Sequence, residues 1–150
     1  MIRLTPEQRA CVKSSRVAHL ATVDGDGLPH VLPVCFVHQK GSFYSPLDQK
    51  PKRVVNVLNL RRVRNIQGNP DVTLVLDYYD EEWSKLWYIQ IRGTARIISE
   101  SEEHKKAICS LTAKYPQYLE MKIEDYPIIK IIPFKIVCWG NFNPRMIKEN

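Results

Sequence analysis

Six segments of this chain read as β-strands, and the turn chemistry between them ties most of them into hairpins. Residues 17–23 and 28–37 are rich in Val and Leu and flank Asp24-Gly25-Asp26-Gly27. An Asp-Gly pair between two such runs is a strong short-range hairpin signal. Lys40-Gly41 turns the chain into a third short strand, residues 42–45, which ends at Pro46. Residues 72–79 and Trp87–Ile98 are long β-type runs joined by the acidic loop Asp80-Glu81-Glu82, and a last run, 128–139, carries Pro133 inside it. Proline cannot donate to a ladder, so Pro29 and Pro33 make the second run an edge strand or a bulged one.

Three helical segments separate these runs. Thr5-Pro6-Glu7-Gln8 has a threonine cap, a first-turn proline and a glutamine three residues after the cap, a combination that starts helices; this helix should stop near Ser14-Ser15. In residues 51–67, Val54, Val55, Leu58, Val63 and Ile66 recur close to helical spacing until Gly68-Asn69-Pro70 stops them. Ser101 caps an acidic first turn, and Ala107, Ile108, Leu111 and Tyr115 form a stripe that runs up to Pro116. The order is therefore α-β-β-β-α-β-β-α-β. Six strands beside so few short helices favour closure, because antiparallel sheets commonly protect their edges by curling into barrels. The expectation is a mainly β protein, an antiparallel barrel with helices on its outside.

The 150 residues suit one domain spanning 1–150. At 44% apolar and 25% charged, the composition excludes disordered and collagen-like classes. No run reaches the ~18 apolar residues of a membrane span, and residues 1–5 contain no apolar signal core, so a cytoplasmic location without membrane contact is expected. The four cysteines, Cys11, Cys35, Cys109 and Cys138, lie too far apart in sequence for a zinc knuckle or a CxxC pair. They read as reduced, structural thiols. The four histidines are equally scattered, so no metal site is expected.

Charge is more informative. The net +6 is matched by six bases between residues 50 and 64: Lys50, Lys52, Arg53, Arg61, Arg62 and Arg64, with no acid among them. A one-signed patch on an otherwise balanced body concentrates an anionic partner; a solvated helix face is the alternative with equal claim. Single-stranded nucleic acid would want stacking aromatics within the basic groove, and this stretch has none, which disfavours that partner.

The segments "LATVDGDGLPHVLPVCFV", "FYSPLDQKPKR" and "LRRVRNIQGNPDVTLVLDYYDEEWSKLWYIQIRGTARI" resemble the pyridoxamine 5'-phosphate oxidase-like split-barrel superfamily. Within it, the likeness is nearest to the branch described as coenzyme F420 (deazaflavin)-dependent enzymes, with residues 78–93 the most specific part. The resemblance covers about residues 5 to 140. It implies a six-stranded antiparallel Greek-key split barrel, and a homodimer with two flavin-type sites at the subunit interface.

Carried over from the family, Pro33, Val34 and Cys35 would line the cofactor ring and Ser45 would meet the ribityl-phosphate. Lys50, Lys52 and Arg62 would hold the phosphate, with Arg64 or Asn65 in support. The partner subunit would contribute the loop from Trp83 to Trp87, and Trp139. A phosphate needs several donors and compensating charge, which arginine's planar fork supplies. The implied activity is hydride transfer between coenzyme F420 or FMN and a small electrophilic substrate. The cofactor carries the chemistry, and no side chain stands out as acid or base. Haem binders and carriers or sensors without turnover also belong to the superfamily.

Overall fold

The computed structural model describes residues 3–47 and 56–143. Helix α1 (Pro6–Ser14) opens on the expected capping box, with the Thr5 hydroxyl accepting from Gln8 N–H and the Gln8 side chain accepting from Thr5 N–H. Strands β1 (Ala18–Val23) and β2 (Pro29–Val34) form the expected hairpin. Its turn is held by Asp24, whose carboxylate accepts from the N–H groups of Asp26 and Leu28, each at 2.9 Å. Strands β3 (Val37–Gln39) and β4 (Ser42–Pro46) follow, joined by Lys40 and Gly41. Both of those residues have positive φ, 50° and 78°, as a two-residue hairpin turn matched to strand twist requires.

The remaining elements are α2 (Arg61–Gly68), β5 (Asp71–Tyr78), β6 (Trp87–Ile98), α3 (Glu102–Lys114), α4 (Tyr118–Met121) and β7 (Ile128–Gly140). All seven strands belong to one antiparallel sheet in the order β2-β1-β5-β6-β7-β4-β3. The fold class is the expected one, and the strand count is seven instead of six because the run 28–37 breaks at Cys35-Phe36. That break determines the shape. β2 and β3 occupy opposite edges of the sheet, yet only two residues lie between them. Laid flat, seven strands would hold the edges about 29 Å apart; three Cα–Cα steps span at most ~11 Å. The sheet must therefore curl until its two edges meet at Cys35-Phe36.

Inside the curl, alternate residues of each strand point to one core. Ala18 and Leu20 of β1, Val72, Leu74 and Leu76 of β5, and Ile89 and Ile91 of β6 are buried there. Val63 and Ile66 of α2 join the same core, so this helix plugs the barrel. A second apolar cluster lies between the sheet and α3–α4, joining Val37, Tyr44 and Ile128 to Ile108, Leu111, Tyr115 and Tyr118. At its border the Tyr44 hydroxyl donates to Glu103 (2.6 Å), which also pairs with Lys130. The Lys130 ammonium, and then the Tyr44 hydroxyl, hold the Glu103 carboxyl below its ordinary range.

One helix differs from the sequence reading. The segment 51–67 is not one continuous helix: residues 51–55 lie outside the described residues, Val57–Asn59 is a single 3₁₀ turn, and α2 begins only at Arg61. Asn56 caps the short turn through Leu58 N–H at 3.0 Å, and Leu60 is extended, with ψ 138°. An Asn side chain competes with the backbone for local hydrogen bonds, which ends the periodic pattern early. α4 and the turn that follows it lie between Pro116 and β7, where the sequence reading places no element.

β6 and β7 pair along almost their full length, with one irregularity between Arg92 and Gly93. Arg92 faces Lys135 and Gly93 faces Pro133, so Phe134 is the extra, exposed residue of a bulge. A Cβ at Gly93 would lie 2.7 Å from the Ile132 carbonyl oxygen. The backbone of β7 cannot yield there without disturbing the ladder. Gly93→Ala should therefore destabilise the protein by about 1–3 kcal/mol, the range for overpacking, seen as a lower urea midpoint at unchanged slope.

Candidate functional site

The strand registers place three rows of side chains across the outer face of the sheet. One row runs Pro33, His19, Val75, Gln90, Val137; a second runs Val31, Ala21, Thr73, Arg92, Lys135; a third runs Asp77, Tyr88, Trp139. Val31 is 61% exposed, Trp139 is 52% exposed and stacks on Tyr88 with ring centroids 5.8 Å apart. Pro33 and Trp139, chosen from sequence for different subunits' contributions, thus lie on one continuous face, where Val31, Val75, Val137, Tyr88 and Trp139 are interspersed with His19, Gln90, Arg92, Lys135 and Asp77.

The other ring and ribityl candidates meet at the joint between the sheet's edges. Cys35 is half-buried, and its carbonyl accepts from the Ser45 hydroxyl at 2.8 Å. That hydroxyl's only proton is committed to the joint, so toward a ligand Ser45 can only accept. Val34 points into the core, leaving its backbone alone as a possible ligand contact. Sequence reasoning missed what braces this joint from behind. The Tyr115 hydroxyl accepts from Phe36 N–H (3.2 Å) and donates to the Arg16 carbonyl (2.8 Å), while the Lys114 ammonium donates to the Phe36 carbonyl (3.0 Å). Burial pushes the Tyr115 hydroxyl up to about 12 and the Lys114 ammonium down to about 8. Tyr115 was legible only as one more residue of an apolar helical stripe.

Helix α2 divides its bases between two faces. Arg62 and Asn65, three residues apart, are buried, whereas Arg61 and Arg64 are exposed. The Asn65 amide donates to the fully buried Thr22 hydroxyl at 3.0 Å, which locks α2 to β1. Lys50 and Lys52 lie outside the described residues. From Asn56 to Pro70 the chain carries three arginines and no acid. The exposed Arg61 and Arg64 fit a phosphate, because guanidinium groups bind such anions bidentately.

The tryptophans separate. Trp83 is 72% exposed on the connection between β5 and β6, free for contact with another molecule. Trp87 is buried in the core, its ring 5.6 Å from that of Phe142. Its side chain is a core anchor of its own chain, because it starts β6 on the inward-facing phase shared with Ile89 and Ile91. Among the described residues no cluster of His, Cys, Asp and Glu has the makings of a metal site. No described helix is long and apolar enough to cross a membrane.

The sequence matches the pyridoxamine 5'-phosphate oxidase family over residues 4–139. The chain belongs to that family. Solved structures share its fold. The conserved protein Rv2991 from Mycobacterium tuberculosis superposes with a TM-score of 0.75 at 18% identity, covering 100% of this chain and 92% of that one. The haem storage protein HutZ from Vibrio cholerae does so with 0.72 at 18% identity, covering 93% and 95%. A protein named F420 reductase gives 0.64 at 21% identity, covering 86% and 94%. No curated protein matches the sequence.

The brace at the joint has a measurable signature. An ammonium whose folded pKa lies below its unfolded value binds fewer protons when folded between the two, so stability rises with pH across that window. For Lys114 the window opens near pH 8. From pH 7.5 to 9.5 the protein should gain urea stability relative to Lys114→Met; parallel pH profiles for the two would show that the ammonium is not held in the brace.

Proposed function

We propose that this protein is a flavin-type oxidoreductase that works as a homodimer, holding coenzyme F420 or FMN in two sites between its subunits. The observation that carries the reading is the outer sheet face from Pro33 to Trp139. Val31, Tyr88 and Trp139 are exposed on this face, and large apolar side chains exposed together mark an interaction site. Family membership and the fold shared with a protein named F420 reductase support the cofactor class.

Such a cofactor, when bound, itself accepts or donates the hydride. The chain's part is to bind and orient it. Lys50, Lys52 and the exposed Arg64 hold the phosphate; Arg62, on the buried face of α2, can meet it only in Arg64's place. Pro33 and the backbone at Val34 and Cys35 flank the ring, and Trp83 and Trp139 keep water away from the substrate. The substrate is a small electrophile, and no side chain is assigned as acid or base.

A second reading, a haem carrier without turnover, draws on the fold shared with a haem storage protein. One residue favours it: His19 is exposed on the same face, between Pro33 and Val75. An exposed imidazole is a ready iron ligand.

Light scattering on the purified protein should give about twice 17.5 kDa; a monomer at micromolar concentration would overturn the shared site. FMN and F420 should bind more tightly than riboflavin. Charge-assisted hydrogen bonds contribute about 1.5–3 kcal/mol each, so Lys52→Ala and Arg64→Ala should each weaken FMN or F420 roughly 10- to 150-fold. Lys40→Ala should have almost no effect. Equal affinity for FMN and riboflavin would remove the phosphate role. Haem binding that His19→Ala abolishes, with no flavin bound, would establish the carrier reading instead.

A further inference from the structure

Beside the joint, α1, β3 and α3 line a groove of about 790 Å³. That is the size of pockets that take small organic molecules. Pro6, Ala10, Val37 and Ala113 supply apolar walls. Ser110 and Gln39 are joined across α3 and β3 by a 2.7 Å hydrogen bond.

The titratable groups lining the groove are all bases: Arg9 and Lys13 from α1, His38 from β3 and Lys114 from α3. Among the described residues no carboxylate lines it. Lys114 is the most constrained. Its ammonium donates to the Phe36 carbonyl and sits 3.9 Å from the centre of the Phe36 ring, with Arg16 and the Cys35 thiol near it. Among the described residues no acid pairs with it. A partly buried ammonium facing a second cation is costly without an anion, and its remaining N–H groups are available for one. His38, its ring 4.5 Å from that of Phe43, is kept neutral at ordinary pH by burial and by Arg9, so it can donate a hydrogen bond without adding charge. Arg9 bonds to the Leu4 carbonyl with one nitrogen and keeps others to donate; Glu7, on the same helix, is its nearest acidic influence.

We propose that the groove between α1, β3 and α3 is a binding site for a small organic anion, with its carboxylate or phosphate on Lys114 and Arg9 and its apolar body against Pro6, Ala10, Val37 and Ala113. The site is separate from the flavin site and does not depend on it. Its ligand would touch the same ammonium that holds Phe36, one residue from Cys35.

Benzoate, phenyl phosphate and the neutral benzyl alcohol are suitable probes, titrated by calorimetry into the cofactor-free protein at pH 7. Benzoate or phenyl phosphate should bind at least tenfold more tightly than benzyl alcohol. Lys114→Met should weaken the anion at least tenfold and leave benzyl alcohol unchanged. Because Lys114→Met could alter the joint, Arg9→Gln, on the exposed side of α1, serves as a second variant and should cost the anion at least threefold. Anion affinity should fall between pH 7.5 and 9.5 as Lys114 loses its proton, and that fall should vanish in Lys114→Met. Lys40→Gln, outside the groove's lining, should not change anion binding. Benzyl alcohol binding as tightly as benzoate, no anion binding below 10 mM, or unchanged anion affinity in both variants would each overturn the site.

Discussion

The two residues Cys35 and Phe36 connect the opposite edges of a seven-stranded sheet, and the geometry of the whole molecule follows from how little chain that is. A sheet held at both ends by so short a tether has to roll up, and rolling gives it an inside that Leu20, Leu74, Leu76, Ile89 and Ile91 fill. The tether is also where polar groups concentrate. Ser45 of β4, and Lys114 and Tyr115 at the C-terminal end of α3, satisfy backbone atoms at Cys35 and Phe36. Buried backbone groups that leave a ladder must find partners elsewhere, and here these side chains supply them.

Both proposed sites share that joint. On one side, Pro33 and the backbone leading to Cys35 border the outer sheet face; on the other, the ammonium that grips Phe36 lines the basic groove. The two sides are chemically unlike. The outer face carries Pro33 and Val31 at one end and the stacked Tyr88 and Trp139 rings at the other, suited to covering a planar ring system. The groove is apolar along its walls and cationic at its base, suited to a compact charged molecule.

Much of the architecture was legible because local chemistry agreed with the fold. Asp24-Gly25-Asp26-Gly27, Lys40-Gly41, Thr5 with Gln8, and Ser101 each did what their residue types favour. The prolines at 29 and 33 correctly marked an edge strand. What failed were features decided by tertiary contact. Nothing in the run 28–37 separates one bent strand from two strands on opposite edges, since that depends on β1 taking its first half and β4 its second. Residues 56–60 have a helical apolar spacing that Asn56 and Leu60 override locally. For the site, the family pattern located a basic α2 but not how its arginines divide between core and surface, nor that Trp87 would be anchored by Phe142. Tyr115 and Lys114 were invisible because a brace across some eighty residues leaves no local signature.

The edges of the sheet impose a rule on assembly. β2 carries Pro29 and Pro33, which have no N–H to donate, and β3 is three residues long, so neither presents the unbroken row of donors and acceptors that templates another strand. Copies of this chain are thereby barred from adding strand to strand into an extended ribbon.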